Sequence, residues 1–442
     1  MKPQVARRCL GLAVVAATMN ALGHAQTPAQ DWPQWRGLQR TGEVTAAQAP
    51  AAWPDSWQQR WRADVGEGYS SPVVAGNRVF VHSRRDPKEV VMAIDAGTGK
   101  TIWEQQYDAA FQKNQYANSM AKGPNATPLV SGGRLFTMGV TGIVTAWDAA
   151  TGRQVWQKDF SNTVDSSKMF CGTAASPILA HGLVVVQVGS DIHGGQILGL
   201  DPATGEQKWA WKGPGPGYAS PILIDIAGTS QLVTLTNSSV VGVNARTGAE
   251  LWSVPFPDDW HENIVTPVWT GTHVIVSGTR QGTHAYAVGQ SGGKWTATQA
   301  WKNADVTMYM SSPVLADGTL FGLSAKRKGQ FVALDPKTGA LKWSSEGRNA
   351  DHASVLFTPT HILYLTSAGE LMLFKRGVNN FTSDRQYEVA KSSTFGPPVF
   401  VAGDLLVRDA TGVTRLGARH SAAVDSHQPE PANQHVSSGG VP

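Results

Sequence analysis

Ten polar or aromatic side chains of this chain stand in loops just before a repeated strand opening, and they are its best candidates for binding chemistry. Most openings pair Ser or Thr with Pro, as in Ser71-Pro72 and Thr127-Pro128. In a ring of repeated units, such loops meet at one end of a central channel, where ligands bind. We therefore predict a face for a ligand or partner. Its residues are Tyr69, Asn125, Tyr218, His261, Glu262, Asn263, Tyr309, Arg348, Asp351 and His352.

Two adjacent pairs in this set, His261-Glu262 and Asp351-His352, raise the question of a metal site. Imidazole and carboxylate ligands suit zinc or a related ion. Pairs on separate loops are more typical of loop capping and surface hydrogen bonding, and we predict no metal. The sequence also lacks Gly-x-Ser-x-Gly, His-Glu-x-x-His and a phosphate-binding Gly loop. No residue can therefore be given a catalytic role from a motif.

One nine-residue pattern recurs and identifies the elements that position those loops. It reads Asp/Asn-x-x-Thr-Gly-x-x-x-Trp and starts at Asp95, Asp148, Asp201, Asn244 and Asp335. The Asx side chain bonds the backbone two residues on and the Gly takes a positive φ, so the pattern begins with a hairpin turn. The Trp then lies in the returning strand, where its ring can cover the seam to the next unit. We assign this docking role to Trp61, Trp103, Trp156, Trp209, Trp252, Trp301 and Trp343.

The repeat predicts an all-β fold, because self-similarity every 40 to 50 residues or so with short strands is typical of a propeller of four-stranded antiparallel blades. Eight strand openings alternate with eight aromatic endings, of which Tyr387 is the weakest. The ending at Trp61 precedes the first opening, and no ending follows the last opening at Pro397-Pro398. We therefore predict eight blades in a ring closed by an N-terminal strand, which removes free sheet edges. Seven blades is the alternative, if residues 351–390 form no blade.

The Asp-x-x-Thr-Gly-x-x-x-Trp ending resembles the tryptophan-docking motif of the pyrroloquinoline-quinone (PQQ) repeat family, over residues 57–418. That family includes quinoprotein alcohol dehydrogenases and a non-catalytic propeller lipoprotein of the outer-membrane β-barrel assembly machine. The dehydrogenases are longer, with long blade insertions and adjacent cysteines beneath the cofactor, and this chain has no such cysteine pair.

The resemblance therefore implies an exported binding or scaffolding module of the cell envelope, with outer-membrane protein assembly as one such role and a protein or polysaccharide as partner. We expect no cofactor and no catalysis. The alternative is a PQQ-dependent oxidoreductase acting on an alcohol or sugar, with PQQ and calcium as cofactors.

The N-terminus is typical of a secretory signal peptide. Arg7 and Arg8 precede an apolar run, and small residues follow up to a cleavage point near Ala25. We therefore expect a periplasmic or secreted protein. Cys9 precedes the apolar run, so it cannot be the lipidated residue of a lipoprotein signal, and we expect no lipid anchor. The predicted regions are a signal peptide at 1–25, an arm at 26–56 with Trp32-Pro33-Gln34-Trp35-Arg36-Gly37, the propeller at 57–418 and a disordered tail at 419–442.

Composition and charge narrow the classes of partner that this chain could bind. The formal net charge is +4 with no run of basic residues, which argues against nucleic acid. Beyond the signal segment, no stretch reaches the eighteen or so apolar residues of a membrane span. Only Cys171 would remain after cleavage, and we expect it to be a small core residue of a monomeric protein.

Overall fold

A computed structural model of the chain describes residues 30–114, 117, 121–164, 169–377 and 382–420. These residues form eight four-stranded antiparallel sheets arranged as the blades of a propeller. The predicted eight-bladed fold is confirmed, and the seven-blade alternative is wrong because residues 353–388 form a full blade. The predicted signal peptide and residues 421–442 of the predicted tail lie outside the described residues.

Each blade runs from a short strand at the channel to a strand at the rim. Blades 1 to 4 contain β2 Val73–Ala75, β3 Arg78–Arg85, β4 Lys88–Asp95 and β5 Thr101–Asp108; β6 Leu129–Ser131, β7 Arg134–Met138, β8 Ile143–Asp148 and β9 Gln154–Asp159; β10 Ile178–Ala180, β11 Leu183–Ser190, β12 Gly194–Leu200 and β13 Gln207–Gly213; and β14 Ile222–Ile226, β15 Thr229–Leu235, β16 Ser239–Asn244 and β17 Glu250–Pro255.

Blades 5 to 8 follow the same order, except that the rim strand of blade 8 comes from the start of the chain. They contain β18 Val268–Trp269, β19 His273–Gly278, β20 Gly282–Ser291 and β21 Lys294–Asn303; β22 Val314–Ala316, β23 Thr319–Ser324, β24 Gln330–Leu334 and β25 Leu341–Ser344; β26 Ala353–Phe357, β27 His361–Thr366, β28 Glu370–Lys375 and β29 Ser383–Glu388; and β30 Val399–Val401, β31 Asp404–Arg408, β32 Gly412–Arg419 and β1 Ser56–Asp64. Among the described residues, no helix has the length and hydropathy to cross a membrane.

The ring is closed by β1, as the sequence predicts. This strand pairs antiparallel with β32, from Ser56 opposite Arg419 to Asp64 opposite Gly412, with a register shift next to Trp61. A bidentate ion pair stabilises the pairing of β1 with β32, because the Arg62 guanidinium donates to both carboxylate oxygens of Asp409 at 2.8 and 3.0 Å. Blade 8 therefore combines strands from both ends of the propeller.

Neighbouring blades are joined near the rim by a tryptophan that lies on a glycine. A methyl group placed on Gly99, Gly152, Gly205, Gly248 or Gly339 would lie 2.3 to 2.8 Å from the Trp ring of the preceding blade. The indole N–H also reaches the same turn in four of the five cases, since Trp61, Trp103, Trp156 and Trp301 donate to the carbonyls of Ala96, Ala149, Pro202 and Pro336. The turn glycine is thus required both for its positive φ and for the space that the ring occupies.

Two of the assigned tryptophans face a blade that lacks the Gly turn, and they pack differently. Trp252 precedes blade 5 and donates to Gln231 of its own blade at 2.7 Å. Trp343 precedes blade 7 and is half-buried against a cluster that includes Phe331. In blade 7 itself Tyr387 takes the Trp position, and its hydroxyl donates to the Pro54 carbonyl at 2.6 Å.

The Ser-Pro and Thr-Pro openings form a second set of contacts between blades, around the channel. Ser71, Thr127 and Ser176 each donate their backbone N–H to the hydroxyl of the opening residue in the next blade, at 3.0 Å. Thr266 does the same with Ser312 at 3.0 Å. The proline at each of these openings lies directly before the first strand residue and has no backbone donor, and the residue before the proline supplies the bond across the seam instead.

The arm that precedes β1 crosses the central channel. It contacts turns between first and second blade strands, where Gly76 donates to the Asp31 carboxylate at 2.8 Å and Gly403 donates to the Gln48 carbonyl at 3.0 Å. Further in, Trp32 bridges to Val74 and is fully buried. The arm reaches the opposite end of the channel at Trp35. The Trp35 indole donates to the Thr266 hydroxyl at 3.1 Å, at the opening of blade 5. The arm therefore acts as a plug.

Two buried arginines fix the plug to the inner strands. Arg36 donates to the Pro313 carbonyl at 2.5 Å, and Arg40 donates to the Pro177 carbonyl at 2.9 Å. Burial lowers the pKa of Arg36 to about 10, and burial together with the charge of Arg36 lowers the pKa of Arg40 to about 9. Because these guanidinium groups are bound to carbonyl oxygens of two opposite parts of the ring, they hold the arm across the channel.

The contact between Trp156 and Gly205 can be tested with a matched pair of glycine substitutions. Gly205 has φ +71° and the Trp156 ring above it, whereas Gly228 has φ +75° and nothing within 4 Å of an added Cβ. Gly228→Ala should cost about 1–2 kcal/mol for the left-handed backbone alone. Gly205→Ala should cost a further 1–3 kcal/mol or so from overpacking against the ring. Chemical denaturation measures both, and equal losses of unfolding free energy would show that the ring contact is unimportant.

Ring closure can be tested by deleting residues 52–65, which removes β1 and Trp61. We expect a sharp fall in the melting temperature, because blade 8 loses its rim strand and blade 1 loses the ring that covers its Gly99 turn. The control is Gln58→Ala with Gln59→Ala, two exposed side chains of the same strand. A deletion variant that melts at the control temperature would contradict closure by β1.

Candidate functional site

A cavity, here called the mouth cavity, lies at the end of the channel that Trp35 reaches. Its cavity volume is about 120 Å³, and it opens to solvent on this face of the propeller. Loops from most blades contribute to its wall, because each connection from a rim strand to the next inner strand ends there. Its lining residues are Trp35, Tyr69, Asn125, Phe170, Cys171, Ala174, Ser176, Tyr218, Ser220, Ile264, Thr266, Met310, Ser312 and Phe395.

Three of the ten predicted residues line the mouth cavity, and each is held by a neighbouring loop. The Tyr69 ring lies 4.5 Å from the ring of Phe395, centroid to centroid. The Tyr218 hydroxyl accepts a bond from the Phe170 N–H at 2.9 Å, and burial raises the pKa of this tyrosine. The Asn125 amide donates to the Cys171 carbonyl at 3.3 Å.

Three further predicted residues form a connected group beside the cavity. The Tyr309 hydroxyl donates to the Glu262 carboxylate at 2.5 Å. Burial raises the pKa of Glu262, against the opposing effect of that hydrogen bond. The His352 ring lies 5.6 Å from the Tyr309 ring and 5.5 Å from the Phe395 ring, and burial lowers its pKa, which favours the neutral imidazole. The group therefore carries at most one negative charge.

Four predicted residues have other positions. Asn263 is fully buried and its amide donates to the carbonyls of Thr236 and Phe256 at 2.9 Å, so it fixes the loop and faces no ligand. Arg348 and Asp351 are exposed and do not line the mouth cavity. His261 contacts the Asp191 carboxylate on the outside of the same face.

The two histidine-carboxylate pairs are therefore dispersed. His261 is bound to Asp191, Glu262 to Tyr309, and His352 packs between two aromatic rings. Within the part of the chain that the structure describes, no three His, Cys, Asp or Glu side chains are placed to share a metal ion.

Cys171 differs from the expectation of a core residue. It lies in the loop before β10, is only partly buried, and lines the mouth cavity. Burial, followed by the nearby charge of Glu262, raises the pKa of the thiol to about 12, so it remains protonated at neutral pH. The prediction was wrong because Cys171 comes five residues before the Ser176-Pro177 opening, within the connecting loop.

A second feature of this face is an exposed apolar patch, here called the outer patch, formed by Ile192 and Trp260. Their side chains are 62% and 66% exposed. Contact between Asp191 and His261, which are their chain neighbours, brings the two loops together. The Arg280 guanidinium lies 5.7 Å from the centre of the Trp260 ring and pairs with Asp259.

The outer patch and the mouth cavity are adjacent. A cavity beneath the patch is lined by Trp260 and His261 and also by Tyr218, which lines the mouth cavity as well. The sequence analysis did not predict Ile192, which lies in the hairpin between β11 and β12 and not before an inner strand. It also did not predict Trp260, although this residue directly precedes His261 in the loop before β18. It also missed the role of Trp35, although the two tryptophans of the arm indicated that the arm must be covered.

Comparison of the sequence with known proteins finds similarity to two groups, outer membrane protein assembly factors and quinohemoprotein alcohol dehydrogenases. A family model described as "Outer membrane protein assembly factor BamB" matches residues 44–115 and 87–345. The outer membrane protein assembly factor BamB of Yersinia pestis is 24% identical over 279 residues, which cover 62% of this chain and 64% of that protein. The quinohemoprotein alcohol dehydrogenase of Comamonas testosteroni is 29% identical over 144 residues, which cover 32% of this chain and 19% of the enzyme.

Solved structures show the same fold. BamB from Moraxella catarrhalis superposes with a TM-score of 0.57 at 14% identity, over 82% of this chain and 99% of that one. The Comamonas testosteroni quinohemoprotein alcohol dehydrogenase superposes with a TM-score of 0.64 at 15% identity, over 92% of this chain and 83% of that one. The family match spans more than half of the chain, and the protein therefore belongs to the PQQ-like β-propeller family described by outer membrane protein assembly factor BamB.

Proposed function

We propose that this protein is an exported scaffold of the cell envelope, periplasmic or secreted, that binds a protein partner through the outer patch. The observation that carries the proposal is Trp260, a large apolar side chain that is 66% exposed on the channel-mouth face. Exposed apolar clusters rimmed by polar residues mark interaction sites. Tryptophan is also among the residues that most often dominate binding energy in protein interfaces.

The polar groups around the outer patch support this assignment. Arg280 pairs with Asp259 and His261 contacts Asp191, so the charges beside Trp260 and Ile192 are already partnered within the protein. A partner that covers the two apolar side chains would therefore leave no isolated charge behind. This arrangement matches the apolar centre and polar rim of protein interfaces.

The family adds the class of partner. Proteins named as outer membrane protein assembly factors match this chain in sequence and fold. We extend their named role to this protein as part of the proposal, with a component of outer-membrane protein assembly as the partner. A polysaccharide partner is the less favoured alternative, because a sugar also needs free hydrogen-bonding groups and the charged groups at the outer patch are paired with one another.

The alternative function, a PQQ-dependent dehydrogenase, has less support from the side chains present. PQQ carries three carboxylates and works with a divalent ion, so its site needs cationic and metal-binding groups. Among the described residues that line the mouth cavity, none is Asp, Glu, Lys, Arg or His. The cavity thus offers the anionic cofactor no charged partner on its wall, and no residue is assigned a catalytic role.

Site-specific photo-crosslinking tests the proposed interface. A benzophenone side chain at position 260 should form an adduct with a protein of the outer-membrane assembly machinery in intact cells. The same group at Leu341, which is 46% exposed on the rim strand of blade 6, should not. Ile192→Ser should reduce the adduct at position 260, whereas Leu341→Ser should leave it unchanged. No protein adduct at position 260, or equal adducts at both positions, would contradict the proposal.

A further inference from the structure

We propose that the mouth cavity is a binding site for an uncharged aromatic molecule of one or two fused rings. This inference is independent of the proposed scaffold role and of its protein partner. The cavity is a dead end, because the arm plugs the channel and places Trp35 at the inner end of the cavity. A concave, mainly apolar site with few polar groups is the usual form of a small-molecule site.

Aromatic side chains from separate parts of the ring form the wall. Trp35 comes from the arm, Tyr69 precedes blade 1, Phe170 precedes blade 3, Tyr218 precedes blade 4 and Phe395 precedes blade 8. Met310 adds a flexible thioether, which packs favourably against aromatic rings. Because aromatic pairs gain from offset and edge contacts beyond the area that they bury, this wall favours a flat ring system.

The Ser and Thr hydroxyl oxygens of the wall already accept hydrogen bonds in the contacts between blades. Those of Ser176, Ser220 and Ser312 accept backbone N–H bonds at 3.0 Å, from Thr127, Ser176 and Thr266 respectively. The Thr266 hydroxyl accepts the Trp35 indole N–H. A sugar needs acceptors for its own hydroxyl protons, and these wall oxygens already accept a bond each, so the sugar hydroxyls would be poorly bonded here. The wall therefore suits an apolar ligand.

The described wall of this cavity also offers an anion no charged partner. The arginines of the arm beside Trp35, Arg36 and Arg40, donate to backbone carbonyls of the inner strands. Burial, and then the charge of Glu262 beside the cavity, raise the pKa of the Cys171 thiol on its wall, whereas the charge of Lys113 has the opposing effect. An uncharged ligand needs no charged partner and avoids the cost of removing an anion from water.

Two fluorescent probes that share one ring skeleton test the proposal. 1-Naphthylamine is neutral at pH 7, and 5-amino-1-naphthalenesulfonate adds a sulfonate to the same two rings. We expect the neutral probe to bind the full-length protein with one site per chain, and the sulfonate to bind at least about tenfold more weakly. Equal or tighter binding of the sulfonate would overturn the proposal, because it would show that the buried arginines make this an anion site.

The location of the probe is tested with a cavity-filling variant. Ala174→Trp places a large ring in the mouth cavity and should weaken binding of the neutral probe at least about tenfold. Ala150→Trp, at an exposed turn between β8 and β9, is the matched control and should bind as the parent does. Melting temperatures establish that both variants fold. Undiminished binding by a folded Ala174→Trp variant would overturn the proposal.

If the Ala174→Trp variant does not fold, protection of Cys171 from a thiol reagent tests where the probe binds. With Cys9→Ser, Cys171 is the only thiol of the chain. The neutral probe at saturation should slow the reaction of Cys171 with N-ethylmaleimide at least about fivefold, because both compete for the same wall. An unchanged rate at saturating probe would place the probe elsewhere and overturn the proposal.

Discussion

The architecture depends on one repeated contact, a tryptophan of one blade lying on the turn glycine of the next. Where it occurs, any side chain larger than hydrogen would meet the indole ring at 2.3 to 2.8 Å, so the Asp-x-x-Thr-Gly-x-x-x-Trp pattern specifies a seam between two blades as well as a hairpin. Trp61 extends the series across the chain termini, because it belongs to blade 8 and covers the turn of blade 1. A ring built this way is completed only when β1 is in place, which couples the N-terminal segment to the stability of all blades.

The arm turns an open channel into a site with an inner end. Around the channel, the Ser and Thr hydroxyls of the strand openings form the inner set of contacts between blades, and the arm arginines bind the carbonyls next to them. The polar groups of the inner ring are thus largely bonded to one another. What remains for a ligand at the mouth is ring surface from Trp35, Tyr69, Tyr218 and Phe395, with the exposed Trp260 a short distance away on the same face.

The fold could be predicted from the sequence, because the contact of a tryptophan with the turn glycine of the next blade requires a strict residue spacing. The count of blades and the closure by β1 both follow from that spacing. The site was harder to predict. Tyr69, Asn125 and Tyr218 were found because they lie just before inner strands, whereas Cys171 and Trp260 lie deeper in connecting loops whose paths no periodicity determines. Asn263 shows the opposite error, since a polar residue in the right loop is buried to satisfy backbone carbonyls.

One fold supports both enzymes and assembly factors, so the side chains at the channel mouth must decide between them. In this protein the described wall of the mouth cavity is uncharged, which is consistent with the proposed binding role. The most direct measurement is a calorimetric titration of the full-length protein with PQQ, with and without calcium. We expect no heat of PQQ binding in either case. Calcium-dependent binding at about micromolar affinity, some 8 kcal/mol, would contradict this expectation and favour a quinoprotein.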